Sequence, residues 1–278
     1  MRIVLLLTLL VSTGAAQTVP AERPDAKAII LKSLKAEDLT DSQAVNYTYR
    51  SAETIKELDG KGVARTTKNT VHEVLYIGGA RFNHLIEKDG KPLTGIDAKN
   101  EQDRLDKAVA DAAKLTDAER AKRREAEIAK RKKNFEERNN VPNAYDWTFL
   151  REEKLNGRDT YVVHASPRKE FNGKNANLLR NLEGDLWIDK ATLHWVKVDA
   201  HALGNFSIGL FLARVGKDSQ IHFETQRIND EVWLPKSVAV RADARLLLFK
   251  KLNIEQEAHF SGYKRYSTDS RIVSTEQP

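Results

Sequence analysis

Alternation of apolar and polar residues dominates the second half of the chain. Residues 196–201 read Val-Lys-Val-Asp-Ala-His, residues 238–245 read Val-Ala-Val-Arg-Ala-Asp-Ala-Arg, and residues 254–260 read Ile-Glu-Gln-Glu-Ala-His-Phe. Because successive side chains of a strand point to opposite faces, this period of two predicts strands with one apolar and one charged face. Such strands are typical of an antiparallel sheet that is exposed to solvent on one side and covered on the other.

Short β-rich runs separated by turn residues extend this pattern over most of the chain. The dipeptides Asp89-Gly90 and Asn156-Gly157 are typical of tight turns between antiparallel strands. Near the N-terminus, the spacing of Ala26, Ile30 and Leu34 predicts an amphipathic helix over residues 25–37. The predicted strands cover residues 47–55, 70–77, 81–87, 147–151, 160–166, 185–188, 193–203, 207–215, 220–228, 237–247 and 253–266.

Residues 97–139 interrupt the strand pattern with a helical composition. The segment is rich in Ala, Lys, Arg, Asp and Glu and contains neither Gly nor Pro, as expected for solvated helices. Thr116 and Glu119 have the spacing of a capping box, which predicts that a second helix begins there. We therefore expect an inserted, charged helical hairpin whose second arm is mostly exposed to solvent.

The apolar face of the predicted sheet is wider than the helix available to cover it. The expected fold is therefore mainly β (α+β), with a large curved antiparallel sheet forming a half-barrel and the N-terminal helix over its concave face. Two outcomes stay open, a packed β core or an unfilled apolar cavity that holds a ligand. The candidate residues for lining such a cavity are Val196, Val198, Phe206, Ile208, Phe211, Ile221, Phe223, Val238 and Val240.

The first sixteen residues predict a signal peptide. Arg2 precedes an apolar run over residues 3–11, and Gly14-Ala15-Ala16 supplies the small residues that precede cleavage. The run is too short to span a bilayer, which needs about 20 residues. We expect export to the periplasm, with residues 17–278 forming one domain. The chain contains no cysteine, so we expect neither disulfides nor a lipid anchor.

Four short segments of the chain resemble one family of proteins. They are Gly-Asp-Leu-Trp-Ile-Asp at 184–189, His-Trp-Val-Lys-Val-Asp-Ala at 194–200, Glu-Val-Trp-Leu-Pro at 231–235 and Tyr-Lys-Arg-Tyr at 263–266. In these segments the chain resembles the LolA/LolB/RseB-like half-barrels, and especially bacterial proteins described as outer-membrane lipoprotein-sorting proteins. The resemblance implies a curved antiparallel half-barrel with helices on its concave side and an apolar cavity for acyl chains. The best-known carriers lack the charged hairpin.

The charged hairpin carries a net positive charge in its second arm, and the chain as a whole has a formal net charge of +6. Its basic residues fit a surface that contacts a membrane or a partner protein, but they also fit a solvated helix face whose charges pair with neighbouring glutamates. Nucleic acid is not expected, because no aromatic residues interleave these charges. The candidate surface residues are Arg120, Arg123, Arg124, Lys130, Arg131, Lys132 and Lys133.

The sequence contains no local pattern of catalytic or metal-binding residues. His72-Glu73 lacks the second histidine of a zinc-protease helix, since Tyr76 occupies that position. A Gly-x-Ser-x-Gly elbow and a Gly-rich phosphate loop are also missing. We predict no enzyme activity, no metal and no cofactor. Of the three functional hypotheses for this chain, a hydrolase that acts on the cell envelope is therefore the weakest.

The leading hypothesis is an exported carrier that holds a lipid, or the acyl chain of a lipoprotein, in an apolar cavity. The first alternative is an RseB-like envelope protein that binds a protein partner through the charged hairpin. The two hypotheses differ in the working surface, which is the apolar face of the sheet in one case and the hairpin in the other.

Overall fold

The computed structural model describes residues 23–59, 61–208, 213–217, 219–246 and 250–266. The predicted signal peptide and the candidate lining residue Phe211 lie outside these ranges, so both stay predictions. Among the described helices, none combines the length and apolar composition needed to cross a bilayer.

Five α-helices and thirteen strands make up the described part of the chain. In chain order they are α1 (Ala26–Gln43), β1 (Tyr47–Leu58), β2 (Ala64–Ile77), β3 (Ala80–Lys88), β4 (Lys91–Pro92), α2 (Gly95–Ala113), α3 (Asp117–Arg138), α4 (Val141–Ala144), β5 (Tyr145–Leu155), β6 (Arg158–Pro167), α5 (Ala176–Leu179), β7 (Leu182–Asp189), β8 (Trp195–Ala202), β9 (Phe206–Ile208), β10 (Ala213–Val215), β11 (Gln220–Ile228), β12 (Val232–Leu246) and β13 (Lys250–Arg265).

All of these strands belong to one curved, open antiparallel sheet. Its continuous path runs β4-β3-β2-β1-β13-β12-β11-β8-β7-β6-β5, and β9 and β10 attach beside β12. The last strand, β13, joins the N-terminal strands to the C-terminal ones, because it pairs with both β1 and β12. The predicted class, a mainly β fold with a large curved antiparallel sheet, is confirmed.

Tight turns form where the sequence predicts them. Asn156 and Gly157 both have positive φ, 50° and 80°, and connect β5 directly to β6. Two consecutive residues with positive φ are the signature of a type I′ turn, whose twist matches that of antiparallel strands. Asp89 and Gly90 form the equivalent turn between β3 and β4, with φ values of 53° and 75°.

Helix α1 packs on one face of the sheet and forms the main core. Asp25 caps the helix by accepting a hydrogen bond from the backbone N of Ala28 at 3.1 Å. Ile30, which is fully buried, belongs to one cluster with Val163 and Ile188 of the sheet. The helix extends to Gln43, so the predicted end at residue 37 is wrong. Residues 38–43 are mainly polar, and the apolar spacing therefore gave no signal there.

Helices α2 and α3 form the predicted hairpin, and the capping box is confirmed. The backbone N of Thr116 donates to the Glu119 carboxylate at 2.8 Å, while the backbone N of Glu119 donates to Thr116 Oγ1 at 3.3 Å. The hairpin follows β4 at one edge of the sheet and leads through α4 to β5 at the other edge. It is therefore a connection between opposite edges, and α3 packs against both α1 and β3 on the way.

The predicted single strand over residues 207–215 is wrong. Strands β9 and β10 pair with each other in antiparallel fashion, with Ala213 opposite Ile208 and Val215 opposite Phe206. Strands β9 and β10 therefore run in opposite directions. The run of apolar residues around this reversal lacks alternation, which left the change of direction without a signal in the sequence.

Candidate functional site

Five of the nine predicted lining residues lie together on one face of the sheet. Val198 of β8 is opposite Phe223 of β11, and Phe223 is opposite Val238 of β12. In the adjacent row, Ile221 of β11 is opposite Val240 of β12. Residues that are directly opposite on neighbouring strands share a face, so these five side chains form one continuous surface, named here the apolar patch.

The apolar patch is partly exposed, whereas the apolar residues beneath α1 are buried. All five patch residues keep part of their surface accessible. Val198 also packs against the core cluster under α1, so the patch continues directly from the covered core. In the described part of the chain, α1 makes its main contacts with the sheet at β5 and β12 and no helix packs extensively on β11 or β13.

Three of the other four predicted lining residues lie in the described part of the chain, and none of the three belongs to the apolar patch. Val196 is buried, with 3% of its surface exposed, and it lies at a register shift, where Trp187 pairs with Lys197 but Ile188 pairs with Trp195. Phe206 is buried in β9. Ile208 lies in β9 opposite Ala213, but its side chain is outside the described set.

The opposite face of the sheet carries a row of histidines and carboxylates. His164, Asp185, Asp199 and His222 are successive partners across β6, β7, β8 and β11. His164 Nδ1 lies 2.6 Å from Asp185 Oδ1, and its Nε2 lies 3.0 Å from Glu183 Oε1. This row borders a depression of about 830 Å³ on the polar face, a feature that the sequence analysis missed.

Hydrogen bonds and opposite charges satisfy this polar row. His222 lies between Asp199 and Glu224. Burial acts to raise the pKa of Asp199, but hydrogen bonds from Lys197 and His222 outweigh it and lower that pKa. Over the described ranges, no group of three or more His, Asp or Glu side chains has the arrangement of a metal site. The ion pairs of the row join β6 to β7 through His164 and β8 to β11 through His222, whereas Asp185 and Asp199, opposite each other on β7 and β8, have like charges.

The seven predicted surface cations of α3 divide into two sets. Arg124 donates a hydrogen bond from Nη2 to Asn46 Oδ1, just before β1, and Arg131 lies near Tyr49 and Tyr263. Burial raises the pKa of both tyrosines, and the charge of Arg131 acts in the opposite direction. The other five are exposed to solvent: Arg120, Arg123, Lys130, Lys132 and Lys133.

Neither the family models nor the curated proteins contain a match to this chain. Several solved structures do match this chain. One is an outer membrane lipoprotein-sorting protein domain from Vibrio parahaemolyticus, which is 13% identical and has a TM-score of 0.33; the match covers 87% of this chain and 95% of that chain. The LolA superfamily protein NE2245 from Nitrosomonas europaea matches with 12% identity, 88% and 94% coverage and a TM-score of 0.34. The MucA/MucB complex of Pseudomonas aeruginosa matches with 10% identity, 85% and 99% coverage and a TM-score of 0.24. At these identities and TM-scores the likeness does not assign a function.

Proposed function

We propose that the protein is a periplasmic, non-enzymatic carrier that holds a lipid, or the acyl chain of a lipoprotein, on the apolar patch. The observation that carries the proposal is the pair of adjacent apolar rows, Val198–Phe223–Val238 and Ile221–Val240. These side chains are apolar, contiguous and partly exposed. An exposed apolar surface on a charged protein is a typical site for an apolar ligand.

The size of the patch suits an acyl chain. Val238 lies opposite Ala258 of β13, so the first row extends over four strands, which at about 4.8 Å between strands spans roughly 14 Å. Each methylene group removed from water contributes about 0.8 kcal/mol. A chain of a dozen carbons therefore needs a lining worth roughly 10 kcal/mol to compete with a bilayer, and a surface of this width offers contacts along most of such a chain.

Transfer in this mechanism is passive partitioning. The sheet takes the place of the bilayer for the acyl chain, and no bond is made or broken. On the opposite face, the ion pair between Asp199 and His222 joins β8 and β11, two of the strands that carry the patch. The exposed cations of α3 would orient the carrier at an anionic membrane surface, where each contributes about 1 kcal/mol of attraction.

The direct test is native mass spectrometry of the mature protein purified without detergent, followed by solvent extraction and lipid analysis. We expect a stoichiometric phospholipid or acylated peptide. A lipid-free mass that stays unchanged on titration with lipid would contradict the proposal. Capture of a protein without an acyl chain would instead favour the alternative function, in which the hairpin binds a protein partner.

A matched pair of variants tests whether the patch is the binding surface. Phe223→Trp adds volume at the centre of the longer row, so we expect loss of lipid uptake with little change in folding. Val63→Trp places the same side chain at a position that is 61% exposed and distant in sequence from the patch. Uptake should persist in this control. Equal uptake by wild type and folded Phe223→Trp protein would exclude the patch.

A further inference from the structure

A second cavity lies where the hairpin meets the sheet edge. It has a volume of about 510 Å³ and lies between β3, α2 and α3. Each of these three elements contributes one cation to its wall. The cavity, named here the basic pocket, is lined by Arg81, Phe82, Asn83, Arg104, Glu127 and Lys130.

The walls of the basic pocket are fixed by close packing. Glu101 of α2 accepts a hydrogen bond from the backbone N of Leu85 at 2.7 Å, which ties the helix to β3. At the β2–β3 turn, Gly79 has a φ of 83°, and a Cβ atom there would lie 2.3 Å from the carbonyl oxygen of Arg120 in α3. The backbone of α3 therefore touches the turn directly, so both helices hold the pocket in a defined shape.

The basic pocket has an excess of positive charge. Over the described part of the chain, Arg81 has no carboxylate partner, and its Nε donates to Asn83 Oδ1 at 3.0 Å. Arg104 stacks over Phe82 at 4.1 Å and pairs with Glu101 at 2.5 Å. Lys130 pairs with Glu127 at 2.7 Å, but its side chain is 72% exposed, and such surface pairs contribute little. The Glu127 carboxylate is only 15% exposed, so Lys130 balances this charge and the excess positive charge of the pocket comes from the two arginines.

An aromatic contact connects the basic pocket with the apolar side of the sheet. The guanidinium of Arg81 lies 5.9 Å from the centre of the Tyr49 ring. Tyr49 in turn contacts the ring of Phe260, with 5.9 Å between centres. Phe260 is two residues from Ala258, the partner of Val238 in the apolar patch. These rings therefore lead from the basic pocket toward β13, the strand that pairs with β12 of the apolar patch.

We propose that the basic pocket binds a phosphate ester group, and that this group is the headgroup phosphate of the lipid whose acyl chain occupies the apolar patch. The assignment of the lipid rests on the proposed function, whereas the phosphate chemistry rests on the pocket itself. Arg81 suits a phosphate because the two Nη atoms of its planar guanidinium group can donate paired hydrogen bonds to phosphate oxygens. The Nε and Nη2 atoms of Arg104 already donate to Glu101, which leaves its Nη1 as the donor to the phosphate.

The test compares two lipids with the same short acyl chains, dioctanoyl phosphatidylglycerol and dioctanoylglycerol, together with soluble glycerol 3-phosphate. Binding to the full mature protein is measured by native mass spectrometry. We expect the phospholipid to bind roughly 10- to 100-fold more tightly than dioctanoylglycerol, the range that charge-assisted hydrogen bonds give. Arg81→Gln should remove this difference. Lys107→Gln, which removes an exposed charge from α2 outside the pocket, should preserve it.

The outcomes separate the two proposals. Equal affinity of the wild-type protein for both lipids would overturn the phosphate site and leave the carrier function standing. Binding of glycerol 3-phosphate that depends on Arg81, without binding of either lipid, would support a site for free phosphate esters and contradict the carrier function. An Arg81→Gln protein that folds and still prefers the phospholipid would also overturn the site.

Discussion

The apolar residues beneath α1 and those of the apolar patch arise from the same alternating pattern but reach different degrees of burial. Val163 and Ile188 are fully buried in the cluster that contains Ile30. Phe223 and Val238 lie on the same face of the sheet and remain partly exposed. The strand pattern therefore determines which face is apolar, whereas the position of the helix determines which part of that face is withdrawn from water.

Polar contacts explain why α1 covers one region and leaves the other accessible. The indole Nε1 of Trp195 donates to Ser33 Oγ at 2.8 Å, and the backbone N of Trp195 donates to Glu37 at 2.9 Å. Both acceptors lie on α1 and are buried. Since Trp195 begins β8, these bonds fix the helix over the start of that strand. Because hydrophobic contacts are non-directional, these two hydrogen bonds determine where α1 lies on the sheet.

The largest expected effect comes from replacing an isoleucine by alanine beneath α1, compared with the same substitution in the apolar patch. Ile30→Ala removes a fully buried side chain under α1, and we expect a loss of about 3–4 kcal/mol in the free energy of unfolding. Ile221→Ala removes a partly exposed side chain from the patch, with an expected loss of about 1 kcal/mol. Urea denaturation of both variants measures the two losses. Equal losses would mean that the patch is as tightly packed as the core.

A smaller effect is expected from the bond that positions the helix. Ser33→Ala leaves the indole Nε1 of Trp195 without its partner, and we expect a loss of about 1–2 kcal/mol because a partly buried donor without a partner is costly. The measurement is a double-mutant cycle with Trp195→Phe, which removes the donor. In the Trp195→Phe protein, Ser33→Ala should cost much less. The same loss in both backgrounds would show that the bond does not hold α1 in place.

The fold was predictable wherever the signal is local. The capping box at Thr116 predicted the start of α3, and Asn156-Gly157 predicted a turn, because in both cases a few neighbouring residues determine the conformation. The end of α1 beyond residue 37 and the reversal between β9 and β10 were missed. In both places the sequence lacks periodicity, and the structure depends on contacts with distant residues.

From the sequence, only the face of the sheet that carries the candidate site was predictable. Alternation placed Val198, Phe223 and Val238 on one side of their strands, and the structure brings them into one row. The partners across strands depend on register, which local sequence does not fix. The row from His164 to His222 could therefore not be predicted from the sequence. The basic pocket could not be predicted either, since Arg81 and Arg104 are separated by the β3–α2 connection.

The smallest expected effect concerns the polar face behind the covered region. Burial acts to lower the pKa of His164, but hydrogen bonds with Asp185 and Glu183 outweigh it and raise that pKa above its usual 6.5. The charged histidine therefore stabilises the folded state fully below about pH 6.5, its unfolded value, and this contribution is lost as the pH rises through the raised folded value. We expect His164→Asn to destabilise the protein more at pH 5.5 than at pH 9, as measured by urea denaturation at both values. A loss of stability for His164→Asn that is independent of pH would mean that the carboxylates hold the ring by geometry alone.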